Sequence, residues 1–197
     1  MYRRKDHFHA RAKASGYRSR AAYKLLEIAD RFALIRPGDR VVDLGGWPGG
    51  WLQVASERVG RSGRVVGVDL APIDPIAGGV VSLIRGDARD AVVQEEIRRR
   101  CGGAADVILS DMAPKLSGVR ATDVARAAAL ADAALAIAVS LLAPGGRLLV
   151  KIFMAAEADA FIADVGRHFR EVRTVRPDAT RKQSAELYVV GLGYLRP

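Results

Sequence analysis

Apolar residues follow two rhythms along this chain. Short runs of valine, leucine and isoleucine recur, and between them lie alanine-rich stretches with apolar positions three and four residues apart. The short runs read as buried strands and the longer spaced patterns as helices. The first helix is predicted from an N-cap at Ser19 to about Ala33, with Ala22, Leu25, Leu26, Ala29, Phe32 and Ala33 as its apolar positions. Pro37-Gly38 then breaks the chain. Strands are predicted at 40–44, 64–68, 80–84, 106–110 and 147–152. Helices are predicted between or after them at about 51–59, 94–100, 123–142 and 156–168, the third stopped by Pro144-Gly145-Gly146. Residues 171–175 and 187–190 form two late strands with no helix between them.

Strand–helix alternation implies an α/β protein, a parallel sheet with helices on both faces. The two late strands imply an antiparallel pair on that sheet. No repeat or low-complexity linker divides the 197 residues, which suits one domain over 1–197. The longest apolar stretch, Ala127 to Ala143, contains Asp132 and Ser140 and reads as a buried or half-buried helix short of a membrane span. The start, MYRRKDHFHARAKASG, has no apolar segment after its charges. A cytoplasmic protein without a membrane partner is expected. Cys101 is the single cysteine, so a disulfide framework is excluded. With His7, His9 and His168 scattered, no metal centre is expected.

Charge changes this picture. The net charge is +9, and residues 1–40 hold eleven basic and four acidic side chains, a surplus of seven. Within that domain, residues 1–36 are expected to form a basic N-terminal helical segment that contributes to RNA binding. Clustered Lys and Arg are the electrostatic footprint of a polyanion partner. Arg11, Lys13, Arg18 and Arg20 are candidate RNA contacts, interleaved with Phe8, Tyr17 and Tyr23, which could stack bases or simply pack. Arg176, Arg181 and Lys182 form a second basic stretch, which could equally be a solvated loop.

Four carboxylates, Asp43, Asp69, Asp87 and Asp111, end a predicted strand or closely follow one. Ligands of such sheets bind outside the carboxyl ends of the strands. The turn after the first strand reads DLGGWPGGW at 43–51. It is neither G-x-G-x-x-G nor a P-loop. Its glycines Gly45, Gly49 and Gly50 would let a ligand approach the backbone, and Trp47 and Pro48 suit a flat or apolar surface; alternatively, Trp47 and Trp51 simply pack a tight strand–helix turn. Asp69 lies where a carboxylate grips ribose hydroxyls, and Asp87 could accept from an adenine amino group. A nucleoside without phosphates fits this set, S-adenosylmethionine being the common cofactor of that kind.

Five segments then carry a family resemblance: YRSRAAYKLLEI (17–28), DLGGWPGGW (43–51), SDMAP through SG (110–118), LLVKIF (148–153) and RPDATRKQSAELYVV (176–190). In order and spacing they resemble the FtsJ/RrmJ family of RNA ribose 2′-O-methyltransferases, over nearly the whole chain. The resemblance implies a Rossmann-like methyltransferase fold, a mostly parallel seven-stranded sheet with an antiparallel last strand, and S-adenosyl-L-methionine as methyl donor. It implies a catalytic Lys-Asp-Lys-Glu tetrad at Lys24, Asp111, Lys151 and Glu186. It implies cofactor contacts at Gly49, Trp51, Asp69, Asp87 and Asp111, beside the turn residues Asp43, Gly45 and Gly50. The implied target is a uridine of 23S ribosomal RNA in the large ribosomal subunit, with transfer RNA or cap ribose as alternatives. The chain departs from the family at Gly46 and Trp47, where the turn more often reads DLGAAPGGW, and at Lys115, where asparagine is usual.

The chemistry is consistent. A 2′-hydroxyl is a poor nucleophile and must lose its proton during attack on a sulfonium methyl. A lysine amine can take that proton; like charge and burial favour the neutral amine, while carboxylates oppose it. Lys151, inside an apolar run, is assigned as base, with Asp111 orienting it and Lys24 and Glu186 positioning the hydroxyl. An amino-methyltransferase would read Asp/Asn-Pro-Pro-aromatic after the fourth strand, and here that stretch is Asp111-Met112-Ala113-Pro114, without the aromatic. A non-catalytic RNA-binding assembly factor would have no need of all four tetrad residues. A nucleotide-dependent oxidoreductase would need a glycine where Trp47 stands.

Overall fold

The computed structural model describes residues 12, 14–115, 117–181 and 183–196. Phe8, Arg11, Lys13 and Lys182, read above as candidate RNA contacts, lie outside the described residues.

The elements run α1 (Ala21–Phe32), β1 (Arg40–Leu44), α2 (Gly50–Val59), β2 (Arg64–Asp69), β3 (Val81–Arg85), α3 (Ala91–Cys101), β4 (Ala105–Ser110), α4 (Arg120–Leu141), β5 (Leu142–Phe153), α5 (Glu157–His168), β6 (Phe169–Val175) and β7 (Glu186–Tyr194). The seven strands form one sheet in the order β3-β2-β1-β4-β5-β7-β6. β1 to β5 pair in parallel. β7 inserts between β5 and β6 and runs antiparallel to both. The late strands therefore pair as expected, and the last one also reaches back to β5, alongside Lys151.

Alternate residues of each strand face opposite layers. Val41, Val65, Val107, Leu109, Leu149, Tyr188 and Val190 pack with α1 and α2. Val42, Leu44, Val66, Val68, Ile108, Leu148, Val150 and Val189 pack with α3, α4 and α5. Two cores thus sandwich the sheet and leave its strand ends as the open edges. The amino-side edge is closed by ion pairs: Asp39 with Arg147 at 2.8 Å, and Asp106 with Arg40 at 2.9 Å.

Three local readings change. Helix α1 starts at Ala21 with Arg20 in the cap position and no side chain capping it. Ser19 is drawn elsewhere, its hydroxyl pressed onto Gly50. Pro144-Gly145-Gly146 lies inside β5, where it forms a bulge between the partners of Ala105 and Val107. Helix α4 is long and apolar enough, by length and composition, to cross a membrane, contrary to the sequence expectation. One face of it, Ala131, Ala134, Leu135, Ile137, Ala138 and Leu141, is nevertheless built into the core beneath the sheet.

Candidate active site

The four tetrad residues come from four separate elements and meet at the carboxyl edge. Lys24 is on the buried face of α1, Asp111 directly follows β4, Lys151 is near the end of β5, and Glu186 opens β7. They form two ion pairs. Lys24 Nζ lies 2.5 Å from Glu186 Oε2, and Lys151 Nζ lies 2.9 Å from Asp111 Oδ1. Lys151 Nζ also donates to the carbonyl of Asp111 at 2.8 Å. Both lysines keep less than a tenth of their side-chain surface exposed, and both carboxylates keep about a fifth. An amine so enclosed needs its partners, because an unpaired buried charge is costly.

Sequence reading missed a fifth member, Tyr188. It stands opposite Lys151 in the β5–β7 ladder, so both side chains project from one face of the sheet. Its hydroxyl accepts from Lys24 Nζ at 3.3 Å and donates to Asp111 Oδ1 at 3.4 Å, joining the two ion pairs. Its ring packs against Trp51 at 6.0 Å and lies 5.6 Å from Lys24 Nζ. Burial, then the charges of Asp111 and Glu186, raise its pKa well above the usual tyrosine value, so it stays a neutral donor. The signal was present: Tyr188 is two residues after Glu186 and therefore on the same face of one strand.

A pocket of about 480 Å³ opens beside the Lys24–Glu186 pair, lined also by Arg20, Arg181, Gln183 and Ser184. The loop that carries Arg181 is docked on α1. Asp178 N–H donates to Glu27 at 2.8 Å, Arg20 donates to the carbonyl of Ala179, and Ala179 is buried against Tyr23. Arg176 donates to the carbonyl of Ser184 at 2.7 Å, bracing the loop. The two basic stretches of the sequence thus meet at one pocket mouth. Tyr23 is buried, and its ring meets Tyr17 edge-on at 5.8 Å. Tyr17 itself donates to Glu57 at 2.7 Å. These rings pack on each other and on their neighbours. Arg18 is turned inward, its guanidinium bonded to the carbonyls of Pro48, Asp74 and Pro75.

On the other side of Asp111 lies the glycine turn. Asp43 is fully buried, and neither carboxylate oxygen has a hydrogen-bond partner among the described residues. Burial, reinforced by Asp111 and Asp69, pushes its pKa well above the usual carboxylate value. Asp69 accepts from the backbone N–H of Trp47 at 3.0 Å and of Ala71 at 2.8 Å, which ties the turn to the loop after β2. Each of its oxygens keeps a lone pair for a ribose hydroxyl. Trp47 and Leu70, flanking that carboxylate, are 60% and 66% exposed. Asp87 is forked by Arg89, whose hydrogen bonds pull its pKa down to about 2. Trp51 is buried, its indole N–H donating to the carbonyl of Ala21 at 2.8 Å, so it braces α1 from below. A Cβ at Gly45 would stand 2.9 Å from Met112 Cγ, so this glycine fits the turn against the strand end of β4.

These residues suit S-adenosylmethionine. An orphaned buried carboxylate with two like charges nearby favours a ligand that brings positive charge and donors. Exposed apolar side chains beside a carboxylate with acceptor capacity to spare favour a nucleoside without phosphates.

Comparison with known proteins agrees. Residues 17–194 match the family model described as FtsJ-like methyltransferase. The chain is 50% identical over 192 residues to ribosomal RNA large subunit methyltransferase E of Natronomonas pharaonis, covering 98% of this chain and 75% of that protein. It is 48% identical over 189 residues to the protein of the same name from Acidiphilium cryptum, covering 96% and 82%. A solved Plasmodium falciparum structure, named as a ribosomal RNA methyltransferase, superposes with a TM-score of 0.80 at 26% identity, covering 92% of this chain and all of that one.

Proposed function

The chain belongs to the FtsJ-like methyltransferase family, which uses S-adenosylmethionine, and on that footing we propose that it methylates a ribose 2′-hydroxyl of ribosomal RNA. The finer reading is a uridine of 23S RNA within the large subunit, reached in the cytoplasm. The whole chain then acts as one methyltransferase domain, with the basic 1–36 segment contributing to RNA binding.

One observation carries this reading. The Lys151–Asp111 pair lies between a basic pocket and the nucleoside edge, and Tyr188 links it to the Lys24–Glu186 pair at that pocket. When bound, the cofactor supplies an electrophilic methyl group on a sulfonium. Arg20 and Arg181, at the mouth, offer forks for phosphate. Lys24 and Glu186, lining the pocket, hold the ribose hydroxyl through one donor and one acceptor. Lys151 takes the proton. A neutral amine has two N–H bonds, and the Oδ1 and carbonyl oxygen of Asp111 can accept both. The nitrogen lone pair is then its one unengaged site, available to the 2′-hydroxyl. The amine becomes an ammonium beside the Asp111 carboxylate, which stabilises it.

The test is transfer of labelled methyl from S-adenosylmethionine to large ribosomal subunits from cells lacking the gene, followed by alkaline hydrolysis. A 2′-O-methyl group blocks cleavage at its own nucleotide, so label should appear in an alkali-resistant dinucleotide containing uridine. Label in mononucleotides would place the methyl on a base and overturn the reading.

A further inference from the structure

Gly49 and Gly50 close the turn assigned to the cofactor, yet the groups pressed against them come from the chain's own N-terminal arm. A Cβ at Gly49 would stand 2.9 Å from Arg18 Nη1, and one at Gly50 would stand 2.3 Å from Ser19 Oγ. Gly49 also has φ +112°, so no other residue sits easily there. The double glycine is the seat of residues 18 and 19.

From that seat the Arg18 guanidinium reaches three carbonyls on two segments. Nη1 donates to Asp74 at 2.6 Å and to Pro48 at 3.3 Å, and Nη2 donates to Pro75 at 2.5 Å. Pro48 belongs to the glycine turn; Asp74 and Pro75 belong to the loop after β2. The arm itself is anchored to α2. Arg18 N–H donates to Gln53 Oε1 at 2.8 Å, and Gln53 Nε2 donates to the carbonyl of Gly16 at 2.9 Å.

We propose that Arg18 is a positioning residue for S-adenosylmethionine: it staples the 45–50 turn to the 70–76 loop and so holds Asp69 at the spacing the ribose needs. The inference rests on the methyl donor binding at this edge. Asp69 receives one N–H from each of the two segments, from Trp47 and from Ala71, so its orientation depends on their separation. A guanidinium can hold three acceptors in a fixed fork; an ammonium on a flexible stem cannot. A phosphate contact, by contrast, would show in the salt dependence of RNA binding.

This difference gives the test. Wild type, Arg18→Ala and Arg18→Lys are compared in calorimetric binding of S-adenosylhomocysteine, in RNA binding across a salt series, and in methyl transfer at varied cofactor concentration. Both variants should lose about tenfold in cofactor affinity, the scale of losing a hydrogen bond from a charged group. KM for the cofactor should rise while kcat at saturation is kept, the signature of lost ground-state binding. The salt slope of RNA affinity should stay at the wild-type value. Wild-type cofactor affinity in the lysine variant would overturn the proposal. So would an alanine variant whose salt slope falls by about one with cofactor binding intact, since that marks a lost phosphate contact. If the alanine variant fails to fold, the lysine variant decides alone, because it keeps the stem and the charge. A wild-type protein that bound no S-adenosylhomocysteine would strike the cofactor reading itself, and this inference with it.

Discussion

Lys151 and Tyr188 face each other across the β5–β7 ladder and converge on one carboxylate oxygen, with Lys151 Nζ 2.9 Å and the Tyr188 hydroxyl 3.4 Å from Asp111 Oδ1. The antiparallel strand β7 makes this possible, because it delivers Tyr188 and Glu186 to the same end of the sheet as Asp111. Four expected outcomes follow from the geometry around that oxygen and its neighbours.

Lys151→Ala should lower methyl transfer by about two to four orders of magnitude, the usual yield of a positioned base. Lys151→Arg should fail equally, since a guanidinium stays protonated. Binding of S-adenosylhomocysteine should survive in both variants. Single-turnover transfer to ribosomal particles measures the loss, and near wild-type transfer by the alanine protein would remove Lys151 as base.

Tyr188→Phe keeps the ring against Trp51 and removes the hydroxyl. Lys24 retains Glu186 and Asp111 retains Lys151, so no charge is orphaned. Stability should change by no more than about 1 kcal/mol. Transfer should fall by about tenfold, equivalent to ~1.4 kcal/mol of transition-state stabilisation. An unchanged kcat in a normally folded variant would reduce Tyr188 to a packing residue.

Asp69→Ala removes a ribose acceptor and also releases the N–H groups of Trp47 and Ala71. Affinity for S-adenosylhomocysteine should drop by the equivalent of about 1–3 kcal/mol. Calorimetry with unchanged affinity would contradict the placement of the ribose.

Asp43 makes stability depend on pH. Its folded pKa is raised by burial, so above the ordinary value of 3.8 the unfolded chain loses this proton while the folded chain keeps it. The contribution is fully present below that value and is lost as pH rises toward the folded pKa, at up to about 1.4 kcal/mol per pH unit. Asp43→Asn should therefore lack this decline when the cofactor-free protein is unfolded with urea at a series of pH values. An identical pH profile in the two proteins would mean that Asp43 is ionised in the fold.

Local pattern alone determined the strands, most of the helices, their alternation and the carboxylates at one sheet edge. Those features depend on spacing between near neighbours: period two for strands, three to four for helices, and a strand end for each aspartate. Lys24, Asp111, Lys151 and Glu186 were legible as a candidate group only through the family segments that carry them, and their two ion pairs were set by the fold. The placement of Ser19, Arg18 and Tyr188 was decided by the tertiary structure. Ser19 has the chemistry of an N-cap, but its hydroxyl fills the space left by Gly50, some thirty residues away in sequence. Arg18 has the chemistry of a phosphate contact, but three carbonyls from distant segments surround its guanidinium. Tyr188 reads as one more apolar strand residue until β7 is laid beside β5 and its hydroxyl meets Asp111. A side chain's type states which bonds it can make; which of them it makes depends on the groups that folding brings within about 3 Å, a separation that local spacing does not encode.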